Sequence, residues 1–209
     1  MLFSRKTQKI PSHFPLIRQS FRCYDESRNM KIPNPEECLL LLQKYGVPPN
    51  VVEHSRKVHR VAMFLCRELN RQDEGLDPGL VEAASLLHDI AKVASFESGE
   101  NHSQAGARLL HEEGFGEVAE IVRQHVILDS GVDHGRITEA ALVNYADKRV
   151  QHTRVVSLGE RFQDLRERYG KTPEAQAWLD SLEGQNRVLE ARIFRKIPFV
   201  PEGLAEIPG

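Results

Sequence analysis

The sequence predicts an all-α helical bundle, and three observations carry that prediction. Residues that cap helix N-termini recur along the chain from Asn34 onward. Between them, apolar residues return every three or four positions, the period of a helix with one buried face. No stretch alternates apolar and polar residues for long enough to read as a strand.

Asn34-Pro35-Glu36-Glu37 supplies an N-cap, a first-turn proline and acids at the positive end of the helix dipole, opening a helix through CLLLLQKY that stops at Gly46. A second helix follows Pro48-Pro49 and extends to about Asn70. Its Val51, Val58, Val61, Phe64, Leu65 and Leu69 keep the helical period, and His54 shares their inward face. Asp77-Pro78 starts a third, expected to run to about Lys92. Asn101, with Gln104 three residues on, opens a fourth that ends at Gly114. EVAEIVRQHV is a fifth and EAALVNYADKRV, capped by Thr138, a sixth. Ser157 and Glu160 have the spacing of a capping box for LGERFQDLRERYG, and Thr172-Pro173-Glu174 starts a last long helix to about Lys196.

With 209 residues the chain is long enough for one domain with a real core. Residues 1–33 read as a flexible basic extension: the first 22 carry Arg5, Lys6, Lys9, Arg18 and Arg22 and no acid, and lack the apolar centre of a secretory signal. Residues 34–196 read as the bundle, and 197–209 as a proline-rich tail across the surface. Apolar residues make up 40% and charged residues 28%, as in ordinary globular proteins. The net charge of −2 gives no reason to expect a nucleic-acid partner. No apolar run reaches the roughly 18 residues that a membrane span needs. Cys23, Cys38 and Cys66 form neither a C-x-x-C pair nor a disulfide framework, so a cytoplasmic location is expected.

The nine histidines matter by position. His54 lies in the second helix, and His88 and Asp89 end the greasy run AASLL. His102 opens the fourth helix, His125 follows EIVRQ, and Asp147 follows LVNYA. Buried charge without a partner is expensive. Imidazoles and carboxylates brought together inside a bundle are the donors that iron, manganese or zinc takes. Neighbouring residues on a helix project about 100° apart, so His88 and Asp89 can clasp one ion only where the helix end turns toward it.

The strings EHSRKVHRVA, AASLLHDIAK and YADKR, with His54, His88, Asp89 and Asp147 in that order, resemble the HD superfamily of metal-dependent phosphohydrolases over roughly residues 36–150. NHSQAGARLL and IVRQHV resemble the third and fourth histidine motifs of its two-metal members. The order is similar to that of the bacterial HD-type hydrolases that cut diadenosine tetraphosphate symmetrically. VILDSG after His125 and the lack of Glu-Pro-x-x-Arg after Asp147 depart from them. The resemblance implies a single HD-domain bundle and two divalent ions, iron, manganese or similar. His54, His88, Asp89 and Asp147 would hold the first, and Asp89, His102 and His125 the second. A one-metal site, with His102 and His125 merely near the substrate, remains the alternative.

The expected reaction is hydrolysis of a phosphoester or phosphoanhydride bond in a nucleotide or related small molecule, by a metal-activated water. Asp89 and Lys92 are the candidate catalytic residues. Lys92, Arg123, Lys148 and Arg149 are candidates for binding the anionic substrate. Asp129 and His134 fall in a glycine-bearing loop that could cover the site. His59 and His111 carry no assigned role. A mixed-valence di-iron oxygenase and a non-catalytic nucleotide sensor are the competing readings. No membrane and no nucleic acid are expected as partners.

Overall fold

A computed structural model describes residues 31–129 and 136–207, without the side chains at 96–98. The expected extension up to residue 30 lies outside the described residues, as does His134. The described chain is all-α: α1 (Pro35–Lys44), α2 (Pro49–Asn70), α3 (Pro78–Leu87), α4 (Lys92–Ser98), α5 (His102–Glu112), α6 (Gly116–Arg123), α7 (Glu139–Lys148), α8 (Leu158–Tyr169) and α9 (Pro173–Lys196). Between α7 and α8 lies a small antiparallel hairpin, β1 (Val150–Gln151) and β2 (Arg154–Val155), with Val150 opposite Val155. Strands this short leave no period for the sequence to show.

The caps act as the sequence indicates. Asn34 with Glu37, and Ser157 with Glu160, form reciprocal capping boxes, and Asp77, Asn101, Thr138 and Thr172 each accept first-turn N–H groups. Helix α2 buries one stripe, Val51, His54, Val58, Val61, Leu65 and Leu69. Helix α3 is buried over Ala83–Leu87, and α7 over Ala140–Lys148, so both are central. Helix α3 packs on α2, α6, α1 and α7, while α5 pairs with α6 and α8 with α9.

The third helix is shorter than its sequence suggests. It stops at Leu87, and residues 88–91 tighten into successive three-residue turns, Ile90 N–H to Leu87 O at 3.0 Å and Lys92 N–H to Asp89 O at 3.0 Å, before α4 begins. No glycine or proline announces this break; packing imposes it. The proline-rich tail also does more than cross the surface: its 3-10 turn, Pro201–Glu206, seats Leu204 in the core. At the other end Ile32 packs against the core.

Candidate metal centre

The turn after α3 brings His88 and Asp89 to one point. In a straight helix they would diverge; here His88 Nε2 lies 3.4 Å from Asp89 Oδ2. Helix α2 adds His54, with Nε2 at 3.9 Å from the same oxygen. The last turn of α7 adds Asp147, with Oδ1 at 3.1 Å from His54 Nε2 and 3.6 Å from His88 Nε2. The other oxygen of Asp89 faces a second pair. Its Oδ1 is 3.6 Å from Nε2 of His102, the first residue of α5, and 3.7 Å from Nε2 of His125, in the turn after α6. Those two ring nitrogens are 3.1 Å apart. Asp89 therefore stands between two donor groups with one carboxylate oxygen toward each. Two clusters have ligand atoms close enough to share an ion, His54–His88–Asp89 and Asp89–His102–His125.

The imidazoles are aimed by the backbone. A carbonyl only accepts, so the ring nitrogen beside it carries the hydrogen. His54 Nδ1 donates to His152 O at 2.8 Å, His88 Nδ1 to Ser85 O at 2.8 Å and His125 Nδ1 to Val122 O at 2.7 Å. In each neutral ring Nε2 is left with a lone pair directed inward, the arrangement that orients metal-binding histidines. His88 Nε2 is fully buried and has no hydrogen-bond partner. A buried orphan of that kind costs free energy unless something bonds it. Donors about 2.1 Å from one ion stand ~3.0 Å apart at right angles and further at wider angles. The separations above fall in that range, so the residues fit a divalent ion.

Charge in the cluster is balanced by two lysines. Lys92 Nζ donates to Asp89 Oδ2 at 2.7 Å, and Lys148 Nζ to Asp147 Oδ2 at 2.8 Å. Burial works against ionised Asp89, yet His88, Lys92 and His125 hold its carboxyl well below the usual range. Burial likewise opposes ionised Asp147, and Lys148, His54 and His88 outweigh it. In the metal-free cluster His88 is pulled down by burial but lifted to about 9 by the carboxylates of Asp89 and Asp147; a bound ion would take the place of that Nε2 proton and leave the ring neutral. His125 goes the other way, to about 3, through burial and the neighbouring His88. Burial also lowers His102.

The candidate substrate-binding residues part company. Lys92 sits at the cluster with its side chain one-third exposed. It meets Asp89 three residues back, because the break after Leu87 undoes the helical register with His88. Lys148 is also at the cluster but buried, its ammonium shared between Asp147 and His125 O. Arg149 is buried with donors to Val156 O, Tyr145 Oη, Glu190 and Pro201 O. Arg123 forks onto Glu120 and Asp129. Neither arginine has a hydrogen bond or ion pair to the cluster among the described residues. His59 is half-buried beside Ser85.

Two features have no direct sequence signal. The carbonyls of Ser85, Val122 and His152 belong to residues of any type. Asn144 donates its amide to Gln124 O at 3.2 Å and His125 O at 3.0 Å, pinning the turn that carries His125 to α7. Its only trace in the sequence is an amide inside the apolar run ALVNYA.

Comparison with known proteins agrees with this geometry. Residues 51–151 match the family model described as HD domain. The chain is 34% identical over 107 residues to a tRNA (cytidine(56)-2'-O)-methyltransferase of Thermoplasma volcanium, covering 49% of this chain and 30% of that protein. It is 36% identical over 99 residues to ribonuclease Y of Aquifex aeolicus, covering 47% and 16%. A tRNA (cytidine(56)-2'-O)-methyltransferase of Picrophilus torridus is 29% identical over 97 residues, covering 45% and 26%. The chain thus spans less than a third of the length of each of these relatives. No solved structure matches it. None of these three relatives is a diadenosine tetraphosphate hydrolase, so the narrower likeness expected from motif order is not supported. No helix among the described residues is long and apolar enough to cross a membrane. The matched stretch, residues 51–151, carries the ordered His and Asp motifs on the helices that gather them, and over that stretch the chain is similar to an HD domain.

Proposed function

We propose that this protein is a metal-dependent phosphohydrolase, cleaving a phosphoester or phosphoanhydride bond in a nucleotide or related phosphorylated substrate. One observation carries the reading: each oxygen of Asp89 faces a pair of histidine Nε2 atoms, and three of those four rings are tied through Nδ1 to backbone carbonyls. His54, His88, Asp89 and Asp147 would hold one divalent ion, and Asp89, His102 and His125 a second. Bound divalent ions supply hydroxide at neutral pH and positive charge for phosphoryl oxygens. The chain's own part is positioning. Asp89 spaces the two donor groups. Lys92, whose ammonium reaches both Asp89 and solvent, binds a phosphate oxygen and orients the scissile group. In this reading Lys148 and Arg149 serve the scaffold rather than the substrate.

The relatives' names, a tRNA methyltransferase and a ribonuclease, weaken the expectation that nucleic acid is not a partner. An RNA phosphodiester therefore joins nucleotides as a substrate class to be tried. A di-iron oxygenase would use the same donor types.

The test is metal analysis of the purified protein with a phosphate-release screen over dinucleoside polyphosphates, nucleotides, sugar phosphates and short RNA, run with and without oxygen. Hydrolysis that persists anaerobically supports the proposal; turnover only with oxygen supports the oxygenase. Asp89→Ala should lose both bound metal and turnover, by far more than the tenfold that about 1.4 kcal/mol represents. Full turnover in that variant would reject the assignment.

A further inference from the structure

His54 is aimed differently from His88 and His125. Those two each donate from Nδ1 to a carbonyl three residues earlier, in the helix that each follows. His54 donates to a carbonyl 98 residues later in the chain, His152 O at 2.8 Å. Its other nitrogen, Nε2, is 3.1 Å from Asp147 Oδ1. Both partners come from one short stretch of chain: Asp147 in the last turn of α7, and His152 at the tip of the β1–β2 hairpin that follows. The aim of this ring therefore depends on where the hairpin sits. Strand β1 packs against α2 and α7, and its Val150 is buried, which fixes the base of the hairpin.

The tip has an uncommon backbone. Gln151 pairs with Arg154, leaving His152 and Thr153 as a two-residue loop. His152 has a φ of +54°, in the left-handed region. Hairpins favour glycine for a positive φ at the first loop position, because a Cβ crowds the backbone there. Every residue has a carbonyl, but few present it from this conformation. Histidine is among the side chains that tolerate it, and β-branched residues are the worst suited. The ring of His152 also has a partner. Arg168 of α8 donates from Nη2 to His152 Nε2 at 3.3 Å, and is itself held by Asp164, Nε to Oδ1 at 2.8 Å.

Resting on the phosphohydrolase reading, we propose that His152 is a positioning residue for the ion that His54, His88, Asp89 and Asp147 would hold. Its left-handed backbone delivers the carbonyl that keeps the proton of His54 on Nδ1 and turns Nε2 toward the two carboxylates. Orienting partners of metal-bound histidines contribute about 10–100-fold to metal affinity. The hairpin tip thus tunes this ion without supplying a donor to it.

Mn2+ titrations of the full chain, with bound metal counted and folding followed by thermal melts, test this. His152→Gly keeps the positive φ and the carbonyl, losing only the ring's bond to Arg168, and should keep both ions. His152→Val forces the backbone out of the left-handed region and withdraws the carbonyl. It should weaken the His54 ion by roughly 10–100-fold, while the ion of Asp89, His102 and His125 stays. A turn that served only the fold would lower Tm in the valine variant and leave the affinity of the folded protein unchanged. Wild-type affinity for both ions in folded His152→Val overturns the role of His152 and leaves the phosphohydrolase reading standing, as does a glycine variant as impaired as the valine one. If His152→Val does not fold, imidazole NMR of the wild type loaded with Zn2+ decides. The His54 Nδ1 proton should be protected from solvent exchange by its bond to His152 O, and a freely exchanging proton there overturns the proposal. A wild type that holds no divalent ion overturns both.

Discussion

Lys148 donates a 3.1 Å hydrogen bond to the backbone carbonyl of His125, 23 residues earlier in the chain. The same ammonium holds Asp147 at 2.8 Å, so one buried cation joins a carboxylate of the first donor group to the turn that presents a histidine of the second. Lys148→Met keeps the length of the side chain and removes the charge, leaving Asp147 buried with less compensation. The metal-free variant should lose about 3–5 kcal/mol, a fall in Tm on the order of 10 °C for a domain this size. Added Mn2+ should recover more of the Tm than it adds to wild type, because an ion replaces the missing charge. Thermal melts with chelator and with Mn2+ measure both; equal melts for variant and wild type would show that the ammonium carries no such load.

Gly106 lets α5 approach closely enough to deliver His102. A Cβ there would lie 3.3 Å from Val122 Cγ1 and 3.4 Å from Ile90 Cγ2. Alanine requires its neighbours to give by a few tenths of an ångström; a branched side chain does not fit without moving the helix. Gly106→Val should push α5 outward and displace His102, four residues earlier on the same face. Elemental analysis should then read a loss of one of two bound ions, with Gly106→Ala between the variant and wild type. Full metal content in Gly106→Val would count against a second ion held by His102.

Arg149 separates scaffold from site. Its guanidinium closes α7 against Val156, Tyr145, Glu190 and Pro201. Arg149→Ala strands Glu190 and several carbonyl oxygens, and should cost about 3–5 kcal/mol in chemical denaturation. Phosphate affinity and bound metal in the folded fraction should stay at wild-type values. A selective loss of phosphate affinity without loss of stability would return Arg149 to the substrate.

Glu183 gives a pH signature to the α8–α9 pair. Burial raises its carboxyl, but the guanidiniums of Arg166 and Arg187 prevail and hold it below the ordinary value of 4.5. The unfolded chain therefore takes up this proton at higher pH than the folded one. The stabilisation is fully present above about pH 4.5, and it is lost as the pH falls through the lower, folded value. Glu183→Gln should flatten the acid limb of the Tm profile below about pH 4.5. Acid limbs of equal slope in the two proteins would rule this out.

Much of the fold was legible because helix ends are local. Asn34, Asp77, Asn101, Thr138, Ser157 and Thr172 cap helices within one residue of where their side chains allow. The buried stripe of α2 follows from spacing alone. The break at residues 88–91 was not legible, since nothing in HDIA disfavours a helix strongly enough to end one. The β1–β2 hairpin was too short to have a period.

The amino-acid order by itself determined most helix starts, the inward stripe of α2 with His54 on it, and the inventory of imidazoles and carboxylates, because capping and amphipathic period act over a few neighbouring residues. Only the tertiary structure decided that Asp89 faces a histidine pair with each oxygen, and that Lys148 and Arg149 turn inward. Those relations depend on where separate helices end in space, on backbone carbonyls common to every residue, and on which of several cations reaches a given carboxylate first. None of these is written in spacing along the chain.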